Sequence, residues 1–492
     1  MIAAVIAEKN VSDAIRGIKK NYDSDMIELR LDYIENLSLK SIKEMLDSSK
    51  RPIIATCRKK GEGGKFNGKE DERLKILEEA IDCGAKYADI ELSSNKLALK
   101  SILKNRKKTN IIVSYHNFEK TDKKIIKKYE EIKKLNPGSI KIVTKANSVT
   151  DNFIILDLLK KAKKERHDIS AFCMGDYGQF SRILSLIYGS EIAYASANQN
   201  SSAPGQLTSF EMSKIYLAKK LNEKTKIAGL IGNPVEHSFG HIIHNAAFEN
   251  LGINAVYLKF KVDKLKEFIE YFKDKNVLGF SVTAPHKVEV MKYLDKIDKK
   301  AKKIGAVNTI VAKNRKFYGY NTDCDGAMQA LEQKTALKGK NVAVLGAGGA
   351  SRAIIYGLKE KKSNVTIFNR TADNAKKLAG EFGCNYGLLK DAGKYKYDIL
   401  INTTPVGMSP NVDRTPIKTQ EIGRNTVVFD IIFNPMRTKL LKEAETRGCR
   451  TISGFEMFIK QAVLQTKLWA GKNAPENLMR QKVFEYGKIN EA

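Results

Sequence analysis

The chain has 492 residues, more than one hydrophobic core organises, so two or three domains are expected. A hydrophobic content of 42% with no apolar run near the ~18–20 residues of a membrane span excludes a helical membrane protein. The formal net charge is +30, yet the lysines are spread over helical stretches such as KKIIKKYEEIKK and KLLKEAE, as on a solvated surface, and no nucleic-acid-binding motif accompanies them. The start, MIAAVIAEKN, lacks the basic and long apolar stretches of a signal peptide. Cys57, Cys83, Cys173, Cys324, Cys384 and Cys449 stand far apart without metal-type spacing, which predicts free thiols in a reducing cytoplasm and no metal site.

Up to about residue 218, short β-rich runs alternate with lysine-rich helical patterns. The runs are IAAVIA at 2–7, MIELR at 26–30, PIIATCR at 52–58, YADIEL at 87–92, NIIVSYH at 110–116, IKIVT at 140–144, DISAFCM at 168–174 and IAYAS at 192–196. Eight strands alternating with helices predict an α/β fold, a (β/α)8 TIM barrel over 1–218. The polar KKLNEKTK at 219–226 reads as a linker, and a second β-α alternation starts at KIAGLIGNP. A third begins at NVAVLGAGGASRA, where a strand runs through a glycine turn into a helix.

Barrel chemistry collects where strands end. Those ends carry Glu28 and Arg30 in ELRLD, Arg58 and Glu62 in CRKKGEGG, His116 in SYHNF, Lys141 in SIKIV, Arg182 in MGDYGQFSR, and Ser202 and Gln206 in SSAPGQ. Lys141 lies between Ile140 and Ile142. Desolvation and nearby arginines would disfavour its ammonium form and leave an amine able to form a Schiff base with a ketone. His116 can shuttle protons near neutral pH, a carboxylate such as Glu62 can orient it, and the arginines can clamp a carboxylate and hydroxyls.

The motifs ELRLD, EGG, SYHNF, MGxxGxxSR and SAPGQ together resemble type I 3-dehydroquinate dehydratase. The resemblance implies Lys141 as the imine-forming lysine, His116 as the proton-transfer group and Glu62 as its partner. Glu28, Arg30, Arg58, Arg182, Ser202 and Gln206 would bind 3-dehydroquinate. The family needs no metal or cofactor. Lys145 is the rival amine, but it falls beyond the apolar strand. An aldolase shares the barrel and lysine without accounting for SAPGQ or the paired arginines.

In the third segment Gly346 permits a tight turn, and Gly348 and Gly349 let the backbone approach a pyrophosphate at a helix N-terminus. The third fingerprint position is Ser351 instead of Gly or Ala. The next strand ends in TIFNRT, and Arg370 there suits the 2′-phosphate of NADP where NAD enzymes carry an acid. The segment before it supplies polar groups for a ketone substrate. Ser238 stands in IGNPVEHS, Thr283 and Lys287 in GFSVTAPHK, Asn308 in GAVNT, and Asn321 and Asp323 in GYNTDCDG. Lys287 with Asp323 would give a proton donor and its charge partner.

These strings, with INTTPVGM and GFEMFIKQA, resemble shikimate dehydrogenase from about residue 225 to the end. That implies a substrate domain over 225–331 completed by helices at 455–490, and a Rossmann domain over 332–454. It implies a catalytic Lys287–Asp323 pair and substrate contacts from Ser238, Thr283, Asn308, Asn321 and Gln461. NADPH would be held by Gly346, Ala347, Gly348, Gly349, Ala350, Asn369, Arg370, Thr371 and Gly454. The sequence departs from the family pattern at Gly240, where a second serine is usual, at Ser281 for Asn, at Phe433 for Tyr, and at Asn374 for a second phosphate-binding arginine. Losing one hydrogen bond to a charged group costs about 1.5–3 kcal/mol, unless water or His241 substitutes; Lys376 or Lys377 would compensate for Asn374.

The expected activity is therefore dehydration of 3-dehydroquinate followed by NADPH-dependent reduction of 3-dehydroshikimate, two consecutive reactions in one chain. The alternatives are a dehydrogenase half that also takes quinate, motivated by Gly240, and a non-catalytic sensor of quinate-type metabolites, which would not need to retain Lys141, His116, Lys287 and Asp323. Small molecules are the expected partners, with no membrane or nucleic acid. Oligomeric state is not legible in the sequence.

Overall fold

The computed structural model describes residues 1–20, 23–197 and 203–491, with side chains to 487. Its contacts group into two compact units, Met1–Lys226 with Asn254–Tyr271, and Ile227–Ile253 with Phe272 onward. No helix among the described residues is long and apolar enough to cross a membrane.

The first unit is built on eight parallel strands: β1 (Ile2–Ile6), β2 (Met26–Arg30), β3 (Ile53–Thr56), β4 (Tyr87–Glu91), β5 (Asn110–Asn117), β6 (Ser139–Lys145), β7 (Ile169–Met174) and β8 (Ala193–Ser196). They hydrogen-bond in the order β7-β6-β5-β4-β3-β2-β1-β8, a nearly closed TIM-type barrel. Helices α1 (Val11–Lys19), α2 (Leu39–Asp47), α3 (Glu70–Asp82), α4 (Lys96–Lys104), α5 (Ile125–Lys133), α6 (Asp151–Lys164) and α7 (Ser181–Ile187) connect successive strands. Local chemistry starts several of them: Asn10, Ser38 and Asn95 each accept a backbone N–H of the following first turn. α6 shows the division of labour along a helix. Ile155, Leu156, Leu158, Leu159 and Ala162 are buried, while Lys163 and Lys164 stay exposed.

Strand alternation decides what fills the barrel. Inward positions include Ala3, Met26, Ile54, Ile112, Val143 and Phe172 of one buried apolar cluster. The same two-residue period places Glu28 and Arg30, Asp89 and Glu91, Ser114 and His116, and Lys141 on the inner face toward the strand ends. Ile140 and Ile142, on either side of Lys141, are buried on the opposite face of β6. They are therefore not the surroundings of the lysine.

After the barrel strands the chain runs through β9 (Lys226–Gly232) and α8 (Gly240–Asn250). β10 (Ala255–Lys261), α9 (Leu265–Lys273), β11 (Val277–Val282), β12 (Lys296–Ile297), α10 (Lys299–Ile304), β13 (Thr309–Lys313), β14 (Lys316–Tyr320) and α11 (Asp323–Glu332) follow. β11 runs parallel to β9 and antiparallel to β13, which is antiparallel to β14. The C-terminal ends of β9, β11 and β14 and the start of β13 therefore share one sheet edge.

A second sheet consists of β15 (Asn341–Leu345), β16 (Asn364–Asn369), β17 (Asn385–Leu388), β18 (Ile399–Asn402), β19 (Val427–Asp430) and β20 (Arg450–Ser453), all parallel, in the order β17-β16-β15-β18-β19-β20. This is the doubly wound Rossmann order, with its switch point between β15 and β18. Apolar clusters cover both faces, involving α12 (Gly349–Glu360) and α13 (Ala372–Phe382) on one and α14 (Lys439–Thr446) on the other. From α15 (Gly454–Ala470), Phe455, Ile459 and Ala462 pack with Ile243 and Ala247 of α8 and with Met479 and Val483 of α16 (Glu476–Glu491).

Candidate active sites

At the barrel's strand ends a pocket is lined by Glu28, Arg30, Arg58, Glu62, His116, Lys141, Arg182 and Gln206, together with Phe172 and Tyr194. Eight residues expected from the sequence are thus gathered around one space; Ser202 lies outside the described residues. Lys141 is buried at the centre, and its Nζ donates to Glu28 Oε1 and Asp89 Oδ2, each at 3.0 Å. It also lies 3.7 Å from the Tyr194 ring centroid. The lysine is thus held by two carboxylates and an aromatic face, with Arg58 on the same Asp89 oxygen, and the apolar side chains that flank it in sequence are not its contacts. Lys145, at the end of β6, is exposed.

Asp89 ties the centre together. Its Oδ2 also accepts from Arg58 at 2.7 Å, and its Oδ1 from Ser114 Oγ at 2.6 Å. Burial alone would raise its carboxyl, but Arg58, Lys141 and His116 override that and hold it well below the ordinary carboxylate range. Arg58 bonds Ser114 at 2.8 Å and pairs with Glu91 at 3.3 Å. Glu91 continues outward to fully buried Arg73 at 2.5 Å. Asp89, Glu91, Arg73, Ser114 and Tyr194 were not picked out by sequence reasoning. Two acids two residues apart in YADIEL were the available signal, since a strand turns both to the same face.

His116 Nδ1 is 3.3 Å from Glu62 Oε2, and its ring lies over Phe118 with centroids 6.3 Å apart. Burial, then the charges of Arg58 and Lys141, push its pKa well below 6.5. The imidazole is therefore neutral at physiological pH, able to accept a proton. Arg30 is taken up by a forked pair of bonds to Asp32, at 2.9 and 2.7 Å. Arg182 differs. Its NH2 donates to Pro204 O at 3.1 Å, but buried Nε has no partner. Burial lowers this guanidinium to about 10, so it remains a cation at neutral pH. An unsatisfied charged donor in a cavity favours an anionic ligand group.

In the second unit, Lys287 Nζ donates to Asp323 Oδ2 at 2.6 Å, and Asn308 Nδ2 donates to Asp323 Oδ1 at 2.7 Å. Asp323 opens α11, where the helix N-terminus favours a carboxylate. The shared sheet edge explains the meeting: Val282 N donates to Asn308 O and Asn308 N to Tyr320 O, which brings the ends of β11 and β14 together. Asn321 spends its amide on the local backbone, Ala306 O at 2.9 Å and Cys324 N at 3.2 Å. Ser238 Oγ accepts from Gly240 N at 3.1 Å, and Thr283 packs against Gly232. Gln461 Nε2 donates to Phe458 O of its own helix. Among the described residues no hydrogen bond links Ser238, Thr283 or Gln461 to the Lys287–Asp323 pair.

The neighbour one helical turn on, Gln465, does reach it indirectly. Its amide donates to Asn308 O at 3.2 Å and Thr309 Oγ1 at 3.0 Å, and accepts from Ser281 Oγ at 2.8 Å. The Ser281 variation is thereby absorbed into a buried network. Phe433 stacks on Phe458 at 4.5 Å within an apolar cluster, so a hydroxyl is replaced there by packing.

The glycine turn has the backbone expected for phosphate approach. Gly346 has φ of +110°, and a Cβ there would meet Thr403 Oγ1 at 2.6 Å. Gly348 caps α12, and a Cβ at this position would meet nothing within 4 Å. A Cβ on Gly349 would sit 3.3 Å from the Lys287 side chain, so this end of the turn adjoins the Lys287–Asp323 pair. Ala347 and Ala350 complete the turn. Ser351 earns its place by accepting from Gly348 N at 3.0 Å and bonding Thr403 at 2.7 Å. Asn369 ends β16 and donates to Thr371 O at 3.0 Å, while Arg370 is exposed. Gly454 is a close-packing glycine, since a Cβ would fall 2.3 Å from the Ile431 carbonyl.

Family models match three stretches: type I 3-dehydroquinase over residues 2–223, the shikimate dehydrogenase substrate binding domain over 230–310, and shikimate / quinate 5-dehydrogenase over 328–435. A bifunctional 3-dehydroquinate dehydratase/shikimate dehydrogenase of Arabidopsis thaliana, described as chloroplastic, is 35% identical over 99% of this chain and 84% of its own. A shikimate dehydrogenase (NADP(+)) of Methanocaldococcus jannaschii is 44% identical over 54% of this chain and 98% of its own. A crystal structure of a shikimate dehydrogenase in complex with NADP+ matches at 44% identity with a TM-score of 0.52, covering 54% of this chain and 96% of that one. The Aquifex aeolicus shikimate dehydrogenase structure matches at 38% identity and a TM-score of 0.51, over 54% of this chain and 99% of its own. With a barrel whose buried lysine faces a histidine–glutamate couple, a Rossmann unit whose glycine turn adjoins a lysine–aspartate couple, and full-length similarity to a two-activity relative, this chain belongs to the bifunctional 3-dehydroquinate dehydratase/shikimate dehydrogenase family of the shikimate pathway.

Proposed function

We propose that Lys141 and His116 carry the dehydration and Lys287 and Asp323 the reduction, in domains spanning 1–218, 225–331 with 455–490, and 332–454. Lys141 Nζ attacks the ketone of 3-dehydroquinate, and loss of water forms the imine. The imine draws electrons from the neighbouring C2–H bond. Neutral His116, oriented by Glu62, takes the C2 proton and returns one to the departing C1 hydroxyl, which leaves as water. Hydrolysis of the imine then frees 3-dehydroshikimate and restores the amine. The substrate carboxylate is bound by Arg182, with Gln206 and Ser202, while Glu28, Arg30 and Arg58 face the hydroxyls. The observation that carries this half is the unpartnered Nε of buried Arg182 in the cavity that holds Lys141.

For the reduction, the left-handed Gly346, the open space at Gly348 and the exposed Arg370 fit a dinucleotide with a 2′-phosphate, held also by Asn369, Thr371 and Gly454. Bound NADPH supplies the hydride. Lys287 donates the proton to the carbonyl oxygen, and Asp323, fixed by Asn308, holds the ammonium in place. Ser238, Thr283, Asn321 and Gln461 are assigned to the substrate. Six free cysteines support a reducing, cytoplasmic setting, and small-molecule substrates, not nucleic acid or membrane, are the partners.

Borohydride added with 3-dehydroquinate should leave a covalent mass adduct on Lys141. In Lys141→Ala the adduct and the dehydratase activity should vanish while reduction of 3-dehydroshikimate persists; Lys287→Met should show the reverse. An adduct surviving in Lys141→Ala would overturn the assignment.

A further inference from the structure

Beyond the glycine turn, the Rossmann sheet ends in a second groove that extends past Arg370. Arg370, Lys390 and Lys418 line it, over a floor that includes Leu388, Leu389 and Ile417. The three cations come from separate segments: the residue after β16, the residues after β17, and the stretch 415–421 between β18 and β19. Parallel pairing of β15 with β16 and of β16 with β17, with Leu345 opposite Phe368 and Asn369 opposite Leu388, puts all three strand ends on one edge. Moving along that edge away from the turn therefore leads past Arg370 into the groove.

All three cationic residues are exposed, and none of their side chains makes an ion pair or hydrogen bond with another described residue. Elsewhere on this lysine-rich chain many exposed lysines are paired, as with Lys107–Asp82, Lys120–Asp122 and Lys394–Asp391. Glu421 is the one acid on the groove wall, and its carboxylate is packed against Gly393. Three unpaired cations around an apolar floor match a ligand with a dianionic group on a flat, weakly polar ring. A dinucleotide whose pyrophosphate lies at the α12 N-terminus carries its adenosine ribose to the end of the second strand, which here is Arg370.

We propose that Lys390 and Lys418 join Arg370 in binding the 2′-phosphate of the cofactor and set the preference for NADPH over NADH, replacing the arginine absent at Asn374. The inference rests on the NADP reading above and adds to it two residues remote in sequence. Lys376 and Lys377, on α13, do not line the groove and take no part.

The test uses the full chain. Binding of 2′,5′-ADP and 5′-AMP is measured by calorimetry, and steady-state reduction of 3-dehydroshikimate is measured with NADPH and with NADH. Lys390→Ala/Lys418→Ala should weaken 2′,5′-ADP and raise KM for NADPH by about tenfold, leaving 5′-AMP, KM for NADH and kcat unchanged. Raising the salt concentration should narrow the wild-type preference, because the cations are exposed. Lys376→Ala/Lys377→Ala should match wild type. If the Lys390/Lys418 variant keeps the full preference while Arg370→Ala loses it, the two lysines are not involved and the cofactor reading survives. If wild type does not distinguish 2′,5′-ADP from 5′-AMP, both fall.

Discussion

Asp89→Asn keeps the shape of the side chain and removes one negative charge from the centre of the barrel. The native carboxylate accepts from Arg58 at 2.7 Å, Ser114 at 2.6 Å and Lys141 at 3.0 Å, and is fully buried. The amide keeps one acceptor oxygen and turns a donor toward groups that are themselves donors. Breaking one member of a buried ion cluster costs about 3–5 kcal/mol. Here Arg58 keeps Glu91 at 3.3 Å and Lys141 keeps Glu28 at 3.0 Å, so the expected loss lies at the lower end, about 3 kcal/mol. Urea unfolding followed by circular dichroism reads it. With a slope of about 1–3 kcal/mol per molar urea, the barrel midpoint should fall by roughly 1–3 M. Trp469, the only tryptophan, lies in the second unit, so its fluorescence transition should stay in place. Dehydratase turnover should drop while reductase turnover holds. A shift below about 1 kcal/mol with normal dehydratase activity would refute the claim that this charge balance maintains the site.

Other outcomes follow from single contacts. Gln465→Leu strands the partners of a buried amide that braces Asn308, and should raise KM for 3-dehydroshikimate about tenfold without touching the dehydratase. Gly240→Ser restores the hydroxyl missing from the family pattern and should tighten shikimate at least about tenfold; unchanged affinity would show that the hydroxyl is dispensable, and undetectable quinate oxidation by the parent enzyme would remove the quinate activity that Gly240 suggested. Burial lowers the His244 imidazole to about 3, from 6.5. Below pH 6.5 the unfolded chain binds a proton that the folded one refuses, so stability falls as pH drops toward 3, by about 1.4 kcal/mol per unit for this group. His244→Gln should flatten that acid slope for the second unit; an unchanged slope in urea titrations would disprove it.

Much of the architecture is legible from short-range pattern. Eight β-rich runs separated by amphipathic helices are enough for the barrel, because strand and helix periods are local properties of a few successive residues. The glycine turn is equally local: Gly346 must adopt positive φ whatever surrounds it. Motif order likewise singles out Lys141, His116, Glu62, Lys287 and Asp323 as candidates, and the structure places the first three around one pocket and pairs the last two. What misled was the immediate flank. Ile140 and Ile142 suggested an apolar niche for Lys141, yet adjacent strand residues face opposite ways, and the true neighbours come from β2, β4 and β8.

The sequence by itself determined the elements, their alternation and the residue types able to form an imine or pass a proton, since these depend on covalent chemistry and on neighbours along the chain. Only the tertiary structure decided which groups come together: Asp89 between Arg58 and Lys141, Gln465 behind Asn308, and Lys390 and Lys418 lining one groove with Arg370. Such partnerships join residues from distant segments, and electrostatic interactions depend on separation in space and on exclusion of water, neither of which is written in local sequence.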